Sequence, residues 1–162
     1  MESAGLTHGG FYAHFRDKES LITESITAAF AEARKNLFPV DPKVRGKTWA
    51  KHAGDRYLAR SHVAQPGQGC AVPALAAEVA RGGGKSQRAF ASEVSAILDE
   101  IASRLGGPRA RERATQLFAS WVGALTLARV MEGDASEQIL AAVRGKKRTA
   151  PRKTRKARKV AA

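Results

Sequence analysis

Apolar residues return every three or four positions through most of the chain, and Gly or Pro marks where each run stops. Leu21, Ile22, Ile26, Ala29, Phe30, Ala33 and Leu37 form one such stripe, the mark of an amphipathic helix. Asp17 stands where a cap carboxylate can accept from the first-turn amides, and Pro39 and Pro42 end the run. Trp49, Ala53, Tyr57 and Leu58 predict a second helix over 47–63, followed by the break Gln65-Pro66-Gly67-Gln68-Gly69. Pro73 is tolerated only in a first turn, so the next helix should start near Val72 and stop at Gly82-Gly83-Gly84. Phe90, Val94, Ile97, Leu98, Ile101 and Leu105 mark another helix, with Gly106-Gly107 as its stop and Pro108 opening the one after.

The stretch 109–131 is different. Leu117, Phe118, Trp121, Val122, Leu125, Leu127, Val130 and Met131 wrap most of a helix's circumference. A helix apolar nearly all round is buried on more than one side, and in a chain this small the second surface is expected to be a partner chain. Asp134 and Glu137 have the spacing of a capping box, starting a short helix with Ile139, Leu140 and Val143. No run alternates with period two, so the expected fold class is all-α. After Gly145 there is nothing apolar to bury until Val160, and these residues read as a disordered basic arm.

Composition sharpens the last point. The net charge is +13, but ten of the 28 Lys and Arg residues lie between Arg144 and Ala162, with no acid among them. The rest of the 162 residues carries 18 basic against 15 acidic side chains. Lys146, Lys147, Arg148, Arg152, Lys153, Arg155, Lys156, Arg158 and Lys159 are therefore candidates for sequence-independent contact with nucleic-acid phosphates. No apolar run is long enough for a membrane span and no secretory leader opens the chain, so no membrane partner is expected. Cys70 is the single cysteine. That excludes an internal disulfide and a cysteine-based zinc site, and fits a cytoplasmic location.

Candidate chemistry is sparse. His52 and His62 are ten apart, not a same-face ligand spacing, and no nucleophile setting or phosphate loop is recognisable. No cofactor, no metal and no enzymatic activity are expected. Cys70 reads either as a small buried apolar residue or as a redox-sensing thiol. The informative stretch is the first one. Gly5 makes a turn, Thr7 can cap a short helix, and Phe11 and Phe15 fall on one face of it, with Tyr12 and His14 pointing elsewhere.

Ala4-Gly5-Leu6-Thr7, followed by Phe11-Tyr12-x-His14-Phe15-x-x-Lys18, resembles the end of the DNA-binding domain in the TetR family of bacterial one-component transcriptional regulators. The resemblance implies that Phe11 and Phe15 anchor the recognition helix. It implies that Thr7, Tyr12, His14 and Lys18 contact phosphates of double-stranded DNA, with His8, Gly9 and Gly10 at the tip that meets base edges. Helix N-termini and cap hydroxyls suit phosphate oxygens, and the major groove admits such a helix. Relative to the family pattern the chain begins at the turn, without the two helices that precede it. The expected domains are a partial helix-turn-helix over 1–17, a ligand-binding and dimerisation body over 18–144, and the basic tail over 145–162.

More loosely, the body is similar to the family's effector domain, and Gly69-Cys70 through Ala76-Ala77-Glu78 resembles one branch of it. Trp49, Tyr57, Cys70 and Phe90 are the expected lining of a small-molecule effector pocket. Leu117, Trp121, Val122, Leu125, Ile139 and Leu140 are the expected homodimer interface. The function implied is a ligand-responsive regulator, a repressor, acting as a homodimer on a palindromic operator. The alternative is an effector-binding and dimerisation module that lacks specific DNA binding and keeps nonspecific affinity through its tail.

Overall fold

A computed structural model describes residues 15–38, 41 and 43–145. Among them are seven α-helices and no strand, so the chain is all-α. The helices are α1 (Lys18–Leu37), α2 (Gly46–Tyr57), α3 (Arg60–Ala64), α4 (Ala71–Gly82), α5 (Gly84–Leu105), α6 (Ala110–Val130) and α7 (Gly133–Arg144). A single 3₁₀ turn, Pro66–Gln68, lies between α3 and α4.

Most boundaries follow from local chemistry. Asp17 caps α1 by accepting from Ser20 N at 2.7 Å and from the Ser20 hydroxyl at 2.8 Å. These bonds favour the charged carboxylate and hold Asp17 below its ordinary pKa. Gly83 and Gly84 separate α4 from α5, and Gly106 and Gly107 turn α5 into α6; all four have positive φ, which only glycine adopts without strain. The four-residue connection at 106–109 makes α5 and α6 antiparallel neighbours. Arg111 in the first turns of α6 accordingly reaches back to Ser95 O and Asp99 on α5.

Two boundaries depart from expectation. The helix expected over 47–63 breaks after Tyr57 into α2 and α3, although Trp49, Ala53, Tyr57 and Leu58 all point inward as their spacing predicts. The capping box at Asp134 and Glu137 does not form. Helix α7 starts at Gly133 without a side-chain cap, and Glu137 instead pairs with Arg60 at 2.7 Å.

The core is one cluster running from Ile26 on α1 to Leu140 on α7. Helices α5 and α6 form its spine. Helix α1 packs on α5, α7 packs on α6, and α2, α3 and α4 close the remaining sides. No described helix is long and apolar enough to cross a membrane.

Candidate functional site

An aromatic stack occupies the centre of the body. Trp121 of α6 meets both Tyr57 (centroids 5.7 Å, interplanar 26°) and Trp49 (6.4 Å, 46°), and Phe38 stacks on Trp49 at 6.2 Å. Phe118 meets Tyr57 edge-on at 6.0 Å. Gly54 makes room for this arrangement, since a Cβ there would stand 3.1 Å from Trp121 Nε1.

His62 closes the stack from α3. Its ring meets Tyr57 edge-on at 4.8 Å. Nδ1 lies 2.6 Å from Tyr57 O, and Nε2 lies 2.9 Å from Cys70 N. A carbonyl only accepts and an amide N–H only donates, so both contacts together require the neutral tautomer protonated at Nδ1. Burial favours the same form and holds His62 below its ordinary pKa. One imidazole thus satisfies the last carbonyl of α2 and the amide that leads into α4, two groups left open by helix ends. It needs Gly69 to do so, because a Cβ at that position would lie 2.1 Å from Nε2.

Two arginines complete this node. Arg144, the last residue of α7, donates to Leu58 O at the end of α2. Arg129 of α6 donates to His62 O at 2.9 Å. Cations at helix C-termini meet both the unpaired carbonyls and the negative end of the dipole.

The residues expected to line an effector pocket all fall in this core. Trp49 and Tyr57 meet through Trp121, Cys70 lies beside Tyr57, and Phe90 packs edge-on against Phe30 of α1 at 5.0 Å. Their side chains are packed against the chain's own residues, and neither cleft described below draws on them. Trp49 Nε1 is buried without a hydrogen-bond partner among the described residues, while the Tyr57 hydroxyl lies against the Cys70 thiol. Burial drives the Tyr57 hydroxyl far above its usual pKa, and it pushes the Cys70 thiol up as well. A reactive thiol needs exposure and a lowered pKa, so this setting is that of an inert core cysteine.

The expected dimer residues divide. Trp121, Leu125 and Leu140 are 2%, 0% and 1% exposed within the single chain. They therefore belong to its own core and offer no surface to a partner, which corrects their expected place at the seam. Leu117, Val122 and Ile139 are only partly buried at its edge. The exposed apolar side chains of this hairpin are instead Leu127, Val130, Met131 and Val143, with Val130 at 74%.

Among the described residues, two surface clefts bear on the site. One, of about 580 Å³, is lined by Asn36, Arg56, Ser61, His62, Gln65 and Gln68 among others, and leads down to the buried imidazole. The other, of about 770 Å³, lies at the α5–α6 turn and is rich in arginine. Among the described residues no three His, Cys, Asp or Glu side chains converge as metal ligands. His52 is exposed on α2, apart from His62.

Of the expected DNA contacts, only Lys18 lies in the described part, exposed at the first position of α1. Thr7, His8, Gly9, Gly10, Tyr12 and His14 lie outside the described residues, as do the tail cations from Lys146 onward. The node of His62, Arg129 and Arg144 was not read from sequence, which weighed His62 only as a metal ligand beside His52 and Arg144 only as the start of the basic run. Their only local trace is Gly69, a glycine kept for space at a negative φ of −117°. Compared with known protein families and with curated proteins, the chain matches none.

Proposed function

We propose that the chain is a homodimeric, ligand-responsive DNA-binding regulator of the TetR type, acting as a repressor. The observation that carries this reading is the run Phe11-Tyr12-x-His14-Phe15-x-x-Lys18, which leads into a long helix capped by Asp17 with Lys18 exposed in its first turn. A cation at that point suits a phosphate oxygen. The apolar side chains exposed on α6 and α7 supply a face for a second copy, since two-fold association buries the same patch on both subunits.

A second reading is the effector-binding and dimerisation module without specific DNA binding, and it is supported by the single hydrophobic cluster that ties α1, α2, α4, α5, α6 and α7 into one body.

Selection from a random duplex pool separates the two. The regulator reading expects enrichment of a palindrome whose half-site centres lie about 10 bp apart. A chain that sediments as a dimer yet enriches no sequence would overturn it in favour of the second reading. Under either, removal of residues 146–162 should flatten the salt dependence of DNA binding, because fewer counterions are released.

A further inference from the structure

The cleft of about 770 Å³ lies where three helix ends meet: the start of α2, the end of α5 and the start of α6. Arg45, Arg104, Arg109 and Arg113 line it, against a single carboxylate, Glu112. That carboxylate is engaged by Arg109 at 2.9 Å. Arg45 donates to Ser103 O at 3.2 Å, and Arg113 donates to Gly106 O. Both partners are neutral carbonyls, which orient each guanidinium and leave its charge uncompensated. Neither Arg45 nor Arg113 is in an ion pair among the described residues.

We propose that this cleft binds a small oligophosphate, an anion with two or more linked phosphate groups. Planar guanidinium forks match phosphate oxygens two at a time, which ammonium groups do not. The first turn of the 21-residue α6 opens on the same space, and its cap residue Arg109 makes no side-chain bond to the free amides there. Those amides and the positive end of the helix dipole add to the guanidinium field. The size falls within the range of small-ligand sites. Four arginines against one carboxylate leave the lining with a formal charge of +3, more than the charge of one phosphate, and no aromatic ring lines the cleft to stack a base. Charge, rather than a ring system, is what the site can read.

The cleft lies at the opposite end of α5 from Lys18. Helix α5 begins beside the start of α1, where Lys85 N donates to Glu19 at 2.8 Å, and ends at the cleft. Its 22 residues span about 33 Å. The site is independent of whether the chain reads an operator, and its test uses no DNA.

The test is a titration of the full ¹⁵N-labelled chain with inorganic tripolyphosphate, followed through the Gly106 and Gly107 amides and the Arg113 side chain. These signals should move together and saturate at one equivalent per chain. The double variant Arg45→Gln/Arg113→Gln should weaken that site at least tenfold. Arg113→Lys, which keeps charge without the fork, should fall between. Arg81→Gln, whose arginine pairs with Glu78 on α4, should leave it unchanged. Shifts confined to residues beyond 145 would overturn the proposal, as would equal affinity in the double variant with its fold intact by amide dispersion. Citrate is the second probe. Equally tight binding of that tricarboxylate would overturn the assignment to phosphate.

Discussion

The two faces of α6 are built from the same kinds of residue and end in different surroundings. Inward, Ala114, Phe118, Trp121, Leu125 and Ala128 are buried by the chain itself. Outward, Leu127, Val130 and Met131 remain exposed. Helical spacing identifies both faces as apolar, but only the fold tells which one the chain covers alone. The inner face has small residues opposite large ones, with Gly54 beneath the Trp121 ring. The outer face has no such partner within the described residues.

This contrast breaks most severely at its inner end. Trp121→Ala should cost about 3–5 kcal/mol in denaturant unfolding, since it removes the ring that meets both Trp49 and Tyr57. A loss under about 1 kcal/mol would mean the stack is not what holds α6 in place. Next comes Gly69→Ala, expected to cost about 2 kcal/mol through overpacking and loss of the bond from Cys70 N to His62. The His62 ring resonances should change with it; an unaltered tautomer and denaturant midpoint would contradict the close contact.

A smaller effect follows from pH. The unfolded chain takes up a proton on His62 near pH 6.5, whereas burial holds the folded imidazole neutral to lower pH. Stability from this group is therefore full above about pH 6.5 and declines as pH falls toward the folded pKa, by at most about 1.4 kcal/mol per pH unit. His62→Asn should flatten that part of the stability–pH curve, and an unchanged slope would exclude His62 as its source. Smallest, on the fold, is the outer face: Leu127→Lys with Val130→Lys should change monomer stability by about 0.5 kcal/mol or less per site. The same pair should shift sedimentation of the proposed dimer to monomer. Substantial unfolding instead would show that the chain buries this face itself.

Much of the fold was legible because its signals are local. The Asp17 cap, the glycine stops at 83–84 and 106–107, and the inward residues of α1, α2 and α5 each follow from neighbouring positions. The break between α2 and α3 was not legible, since neither Gly nor Pro lies at Leu58 or Ala59. It is held by tertiary bonds from His62 and Arg144 to the carbonyls that the break exposes. Site residues were less legible for a related reason. Aromatic residues such as Trp49 and Tyr57 suit a pocket wall and a core equally well, and periodicity is the same for both. The capping box at Asp134 failed because Glu137 found Arg60, 77 positions away in sequence, which no local pattern encodes.

The two arginines that finish the α2 and α3 ends also bear on how the chain reaches its fold. Arg144 and the Leu58 carbonyl are 86 positions apart, and Arg129 and the His62 carbonyl are 67 apart. Loops of that length close late, after local helices have formed. During synthesis both carbonyls emerge before the arginines that satisfy them. The order of emergence makes α6 and α7 the closing step, so a nascent chain halted before Arg129 would hold helices with their ends still open.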